Sequence, residues 1–188
     1  MIKKYYFDLN SNYIIEPNVS CIGYFDGVHL GHQRLIDETI KLAKKLNVKP
    51  YLITFDPDPK DVVNNINTSK INSLNSRIKL FEKYGIKGVI IIHFDFDLMK
   101  MNTNDFYIKY LSKFNLKGIV CGKDFRYAYN QKGSYKTLKK NIKNTIVIDE
   151  VRYYNKKISS TRILNEIKKG NYNLVNKMLG YKYERWIL

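Results

Sequence analysis

The feature that most constrains the fold is a regular alternation between short apolar runs and longer segments with helical periodicity. The strand-like runs occupy residues 18–23, 50–55, 88–94, 116–122 and 145–150. Apolar strands that are separated by helices are typical of a parallel sheet covered on both faces. The sequence therefore predicts an α/β fold with a parallel sheet and helices on both faces.

Apolar residues three and four positions apart mark the helices between these runs. In residues 33–46 they are Leu35, Ile36, Ile40, Ala43 and Leu46, which predicts an amphipathic helix. Further helices are predicted at residues 73–85, 104–114 and 135–142, and two short ones on either side of Gly170. The sequence shows no repeat or linker, so we predict one domain spanning residues 1–188.

Unusual polar loops lie at one end of the predicted strands. They are residues 23–32, 54–59 and 121–133, together with the segment before residues 158–162. The prolines at 57 and 59 are expected to stop the strand and to prevent a helix. Because open parallel sheets bind ligands beyond the carboxyl ends of their strands, we predict a ligand site where these loops meet.

Two of the three histidines, His29 and His32, flank Gly31 after the first run. Glycines allow close approach to a ligand, and a following helix offers N–H groups with a partial positive charge. Two imidazoles would add donors for a nucleoside triphosphate. The spacing fits neither a P-loop nor a dinucleotide fingerprint. Zinc ligation and a purely local turn role are the alternatives.

Charge and cysteine content indicate the partner class and the compartment. A net charge of +16 favours an anionic partner, either a phosphorylated small molecule or a nucleic acid. No apolar run approaches the ~20 residues of a membrane span, and the first ten residues lack the apolar core of a signal peptide. Cys21 and Cys121 are too few for a disulfide framework. We expect a cytoplasmic protein that contacts no membrane.

Four segments form an ordered set of motifs: "GYFDGVHLGH" at 23–32, "TFDPDP" at 54–59, "CGKDFRYAYNQKG" at 121–133 and "ISSTRI" at 158–163. They resemble the G-x-F-D-G-x-H-x-G-H, T-F-x-P-H-P, G-x-D-F-R-F-G-x-x-x-x-G and I-S-S-T-x-I/V motifs of bacterial FAD synthetases, within the H-x-G-H nucleotidylyltransferase superfamily. The resemblance covers essentially the whole chain. It implies a Rossmann-like nucleotidylyltransferase fold.

The resemblance implies FMN adenylyltransferase activity. The FMN phosphate would attack the α-phosphorus of ATP in line, giving FAD and pyrophosphate without a covalent enzyme intermediate. His29, His32 and Arg162 would be the catalytic residues, acting through positioning and charge stabilisation. The implied ATP-binding residues are Gly23, Tyr24, Phe25, Asp26, Gly31, Ser159, Ser160, Thr161 and Arg162. Mg2+ would be held mainly by phosphates, with no protein ligand predicted.

The resemblance also implies a flavin site on two loops. Its residues would be Thr54, Phe55, Pro57, Asp58, Pro59, Asp124, Phe125 and Arg126. An aromatic ring beside a rigid turn is a suitable platform for a flat ring, although Phe55 and Phe125 could instead be core residues. Asp58 stands where many relatives have His. Ala128 replaces the usual Gly and disfavours a positive φ there.

Two rival functions are consistent with part of the sequence. A nucleotidylyltransferase of the same fold with another phosphorylated acceptor would not require the motifs at 54–59 and 121–133. A basic nucleic-acid-binding module would use the charge, but small-molecule nucleotides are the expected partners. Bifunctional relatives continue into a riboflavin kinase domain, and this sequence contains none. We therefore expect that activity from a separate protein or a missing domain.

Overall fold

A computed structural model describes residues 1–184 around a central sheet of six strands. The strands are β1 (Lys3–Phe7), β2 (Asn18–Ile22), β3 (Lys49–Asp56), β4 (Gly88–His93), β5 (Leu116–Gly122) and β8 (Thr145–Ile148). Two antiparallel hairpins are formed by β6 (Arg126–Tyr127) with β7 (Gly133–Ser134), and by β9 (Arg152–Tyr153) with β10 (Lys156–Lys157). Residues 185–188 of the predicted domain lie outside this description.

The helices within residues 1–184 follow the strands in alternation. They are α1 (Leu30–Lys45), α2 (Pro59–Asn64), α3 (Leu74–Lys83), α4 (Phe96–Lys100), α5 (Thr103–Lys109), α6 (Tyr135–Asn141), α7 (Ser160–Lys168) and α8 (Tyr172–Leu179). One core cluster joins α1 and α3 to the sheet, and another joins α4, α5 and α6 to its opposite face. The predicted parallel α/β fold with helices on both faces is confirmed.

The strand order explains where a ligand can bind. The order is β1-β4-β3-β2-β5-β8, and all neighbours are parallel. From β2 the chain builds outward through β3 and β4 to one side, then crosses to β5 and β8 on the other. The reversal therefore lies between β2 and β5, which is the topological switch point at which open α/β sheets bind ligands.

The apolar runs are continuous because both faces of the sheet are buried. In β4, Val89 and Ile91 belong to the cluster with α1 and α3. Ile90 and Ile92 belong to the cluster on the other face. Successive side chains of a strand point to opposite faces, so a strand in the middle layer needs apolar residues at every position.

Several elements differ from the sequence-based expectation. The helix predicted at 104–114 is interrupted: α5 ends at Lys109, Tyr110 has a non-helical ψ of −73° at φ −123°, and a 3-10 turn covers Leu111–Phe114. Pro59 does not prevent a helix but starts α2. Proline is tolerated at the first helical position because its missing N–H has no intrahelical partner there. Edge strand β1 and both hairpins were not predicted.

The C-terminal helices form a third, smaller core. Ile163 of α7 and Val175, Met178 and Leu179 of α8 pack with Ile71. Gly170, with a positive φ of 72°, separates α7 from α8 as predicted. Across residues 1–184, none of the helices combines the length and apolar character that a membrane span requires.

Candidate active site

A cavity of about 1360 Å³ opens at the carboxyl ends of the central strands. Most small-molecule pockets have roughly 300–1,000 Å³, so this one has room for two ligands of nucleotide size. Its wall contains these predicted residues: Gly23, Tyr24, Phe25, Asp26, His29, Gly31, His32, Phe55, Asp58, Pro59, Asp124, Phe125, Arg126, Ser159, Ser160 and Thr161. Thr54, Pro57 and Arg162 are not part of that wall.

The loop after β2 has an unfavourable backbone conformation. Phe25, Gly27 and Val28 have positive φ values of 63, 77 and 37°. Such values are strained for residues other than glycine, above all for a β-branched one. A Cβ at Gly27 would lie 2.7 Å from Cδ1 of Ile71, and this crowding together with the positive φ favours glycine there. The loop can persist only if its surroundings hold it.

Asp26 is one of the groups that hold the loop. Its side chain is buried, and Oδ1 accepts hydrogen bonds from the backbone N–H groups of Ile71 (3.0 Å) and Asn72 (3.1 Å). Burial raises the pKa of Asp26, while these donors and nearby Arg77 oppose the rise. Asp26 lies in the cavity wall as predicted, but its carboxylate ties the loop to residues 71–72.

Arg77 of α3 is a buried residue that sequence reasoning missed, with only 1% of its surface exposed. Its Nη1 donates to the carbonyl oxygen of Tyr24 and to Oγ1 of Thr54, and its guanidinium lies 4.3 Å from the centre of the Tyr24 ring. Thr54 also donates to Tyr24 O. Thr54, predicted to bind flavin, therefore supports the loop from behind. The sequence feature that could have revealed Arg77 is its charge on the helix face that also carries Leu74, Ile78 and Phe81.

The two histidines stack on one another, with ring centres 3.7 Å apart and planes 13° from parallel. Nδ1 of His29 accepts from the backbone N–H of His32 (3.4 Å) and so caps α1. Its proton is therefore on Nε2. Burial lowers the pKa of His29 to about 4 and that of His32 well below its usual value. Both rings are neutral near pH 7 and can donate hydrogen bonds without carrying charge.

His32 leaves a polar atom unused in the protein. Its Nδ1 is buried and has no hydrogen-bond partner among residues 1–184. The ring packs 5.0 Å from that of Phe25, which holds the imidazole in place. Buried polar atoms are normally paired, so this nitrogen is an exception among the described residues, although His32 itself lines the cavity.

The start of α7 contributes hydroxyl groups to the same side. Ser159 caps the helix by accepting from the backbone N–H of Arg162 (3.3 Å). Ser160 donates to the carbonyl oxygen of Asp26 (2.9 Å), so it supports the loop. Thr161 is exposed in the cavity wall. Of the three predicted hydroxyls, the structure therefore leaves the Thr161 hydroxyl best placed for a ligand.

Arg162 has a different position from the one predicted. Its Nη1 donates to the carbonyl oxygens of Tyr153 (3.1 Å), Lys156 (2.8 Å) and Lys157 (3.3 Å). These contacts tie α7 to the β9–β10 hairpin. Lys157, which was not predicted, lies in the cavity wall and forms an ion pair with Asp124 from the opposite loop. Both charges influence the pKa of His29, so this pair lies beside the histidines.

The turn after β3 forms one part of the predicted flavin wall. The Phe55 ring lies 5.9 Å from that of Phe94, at nearly a right angle. Asp58 accepts from the backbone N–H of Lys60 (2.9 Å), which caps α2, and pairs with Lys70 (2.6 Å). Asp58 is therefore a structural acid in this protein. The Asp56–Pro57 peptide bond is cis, and Pro57 stays outside the wall.

The loop after β5 forms the other part of the predicted flavin wall. The Phe125 ring stacks on Tyr127 at 5.7 Å, and Arg126 donates to the carbonyl oxygens of Lys123 (3.2 Å) and Phe125 (2.9 Å). Ala128 has φ 64° and ψ 174°, a conformation that almost only glycine adopts. The expectation that alanine would avoid a positive φ at this position is wrong.

Protein metal ligands are not evident at the site. Among residues 1–184, no three His, Cys, Asp or Glu side chains are grouped so that they could hold a metal ion. Within residues 1–184, no cysteine or carboxylate lies beside the histidine pair so as to complete a zinc site.

A comparison with protein families shows to which family this chain belongs. A family model described as FAD synthetase matches residues 12–162. The chain belongs to the FAD synthetase family. The matched region contains every predicted site residue and ends inside α7. The similarity to FAD synthetases inferred from four short motifs is thus confirmed over residues 12–162.

Curated relatives support the same family. The bifunctional riboflavin kinase/FMN adenylyltransferase of Buchnera aphidicola subsp. Schizaphis graminum is 35% identical over 180 residues, covering 92% of this chain and 56% of that protein. The one from Bacillus subtilis is 29% identical over 171 residues, covering 88% and 54%. This FAD synthetase family member therefore spans about half the length of the curated relatives it matches.

A solved structure gives an independent comparison of the fold. A crystal structure described as a macrolide-efflux protein from Streptococcus pneumoniae superimposes with a TM-score of 0.89 and 26% identity. The match covers 97% of this chain and 72% of that one. The arrangement of sheet and helices in this FAD synthetase family member is therefore shared with a protein of known structure.

Proposed function

We propose that this chain is an FMN adenylyltransferase, which converts MgATP and FMN into FAD and pyrophosphate. The observation that carries the proposal is a single cavity bounded by neutral His29 and His32 on one side and by Phe55 and Phe125 on the other. Membership of the FAD synthetase family supports the same substrates. No observation favours either rival function.

The phosphates of ATP would bind on the histidine side. Nε2–H of His29 and the neutral imidazole of His32 supply polar groups without the desolvation cost of buried cations. The start of α7 carries a partial positive charge and the Thr161 hydroxyl. Lys157 is the cavity-wall cation whose charge acts on His29, and its ion pair with Asp124 is exposed. We assign the cationic contact to Lys157, because Arg162 is occupied by three carbonyl oxygens.

The reaction requires positioning more than it requires a protein nucleophile. A phosphate oxygen of FMN attacks the α-phosphorus, and the bond from that phosphorus to the bridging oxygen breaks, releasing pyrophosphate with the electron pair. Mg2+ enters with ATP as part of the substrate. Fixed hydrogen-bond donors that face the developing negative charge stabilise the transition state, and two bound substrates react as one unit. His29, His32 and the Thr161 hydroxyl are the groups of this chain with that role.

The isoalloxazine ring would lie on the aromatic side. Phe55, Pro59 and Phe125 offer apolar area, and Arg126 and Asp124 lie at the rim. A flat ring gains mostly from contact with such surfaces. Asp58 would act indirectly, through Lys70 and the start of α2.

The experiment that tests the proposal uses the purified chain with ATP and Mg2+, and either FMN or riboflavin as acceptor. Chromatography should detect FAD and an equal amount of pyrophosphate from FMN, and nothing from riboflavin. If a folded sample forms no FAD from FMN, the proposed function is wrong. FAD formation from another phosphorylated acceptor only would support the rival with the same fold.

We further infer that residues 1–188 act as one catalytic domain in the cytoplasm. The helices of residues 1–184 pack around one central six-stranded sheet, which supports a single domain. FMN would come from a riboflavin kinase activity outside these residues.

A further inference from the structure

Three consecutive carbonyl oxygens of the strained loop accept hydrogen bonds from side chains outside the loop. Ser160 donates to Asp26 O (2.9 Å), Tyr181 to Gly27 O (2.8 Å) and Gln33 to Val28 O (2.8 Å). Ser160 belongs to a motif and Gln33 to the helix that follows the loop. Tyr181 lies beyond α8 and outside the residues that match the family model.

The C-terminal segment reaches this loop through several contacts. Gln33 also donates to the carbonyl oxygen of Leu179 (2.6 Å), and a Cβ at Gly27 would lie 3.3 Å from the Leu179 side chain. The Tyr181 hydroxyl lies 3.0 Å from Oδ1 of Asn72, whose backbone N–H binds Asp26. Tyr181 therefore contacts both segments that meet here: Gly27 in the loop and Asn72 beside it.

Fixing a carbonyl oxygen fixes the whole peptide plane. Because the peptide bond is planar, the bond from Tyr181 to Gly27 O also orients the amide of Val28, which donates to Phe25 O (3.2 Å). Val28 has a φ of 37°, which a free loop would relax. His29 follows directly, so the position of its imidazole depends on this peptide plane.

We propose that Tyr181 is a positioning residue for the adenylyl-donor nucleotide: by holding Gly27 O, it keeps the 25–28 loop and His29 in the arrangement that binds MgATP. The inference rests on the proposed function for the identity of that nucleotide. It adds a C-terminal residue to the ATP side of the cavity and none to the flavin side.

The test is Tyr181→Phe, which keeps the ring and removes the hydroxyl. One hydrogen bond of ordinary strength predicts that KM for MgATP rises about three- to tenfold, while KM for FMN changes less than about twofold. Tyr172→Phe is the matched control, because Tyr172 is exposed at the start of α8 and stacks on Tyr183 instead. The control should leave both constants unchanged.

Amide hydrogen exchange without ligand provides a readout that is independent of turnover. Residues 25–29 should exchange faster in Tyr181→Phe than in wild type, and Tyr172→Phe should match wild type. Equal exchange rates and equal MgATP affinity by calorimetry would overturn the proposal, as would equal rises in both KM values. If wild type binds MgATP but makes no FAD, the proposed function fails, and calorimetry still decides the role of Tyr181.

Discussion

The two sides of the cavity are built differently. On the histidine side, Asp26 and Arg77 are 4% and 1% exposed, and side chains from α1, α3, α7 and the C-terminal segment bind the loop carbonyls. On the aromatic side, Arg126 bonds only within its own loop, and the Asp124–Lys157 pair is exposed. The histidine side is thus fixed by buried polar contacts, whereas these contacts of the aromatic side are exposed.

The difference follows from what each side would bind. Stabilising charge on a phosphate requires donors at fixed positions, and fixed donors need a rigid support. A flat aromatic ring needs apolar area, which tolerates small shifts. The comparison therefore predicts that changes on the histidine side affect turnover or folding strongly, and changes on the aromatic side weakly.

The largest expected effect is that of His32→Ala. Removing a donor that acts on the transition state should lower kcat about 10²–10³-fold, while the Kd for FMN changes less than about threefold. FAD formation and quenching of FMN fluorescence measure the two quantities. His93→Ala, at the only other histidine and exposed at the end of β4, should behave like wild type. Comparable losses in turnover and FMN binding would show that the two sides are not separate.

The next effect is on stability. Arg77→Met fills the same space but leaves Tyr24 O with fewer donors, so the free energy of unfolding should fall by about 2–3 kcal/mol. Lys79→Met, on an exposed position of the same helix, is the control and should change it by less than about 0.5 kcal/mol. Urea denaturation measures both. A neutral result for Arg77→Met would contradict the importance of the buried network.

The buried histidines should make stability depend on pH. The pKa of His29 is about 4 in the folded protein and 6.5 in a free side chain, so the unfolded chain binds more protons between these values. Stability should therefore fall as the pH drops from about 6.5 towards about 4, by about 1.4 kcal/mol per pH unit for one such group. In His29→Asn the fall between about pH 6.5 and pH 5 should be smaller by about 1.5 kcal/mol. If the urea midpoints of wild type and His29→Asn depend on pH in the same way, burial of His29 does not make stability depend on pH.

The smallest effect tests the aromatic side. Ala128→Gly should raise the free energy of unfolding by about 1 kcal/mol, because glycine adopts φ 64° without strain. FMN affinity should change less than about twofold. The same substitution at Ala43, which is buried in α1, should destabilise the protein instead. A destabilising Ala128→Gly would mean that this loop is not strained.

Local sequence patterns determined the fold class and the family of this protein. The unbroken apolar runs predicted the parallel sheet, because strands covered on both faces require apolar residues at every position. Glycines and histidines at the start of a helix predicted where the ligand loop would be. Motif resemblance predicted the family, and the cavity contains most of the residues that it named.

Only the tertiary structure decided which partner each polar side chain meets. Arg77, Tyr181 and Lys157 carry no local signature of their contacts, because those partners lie between 23 and 154 residues away along the chain. Arg162 and Thr54 have the residue types expected of ligand contacts, yet they bind backbone carbonyl oxygens within the protein. Periodicity and propensity describe a residue's own element, whereas burial and hydrogen bonding depend on how distant elements pack.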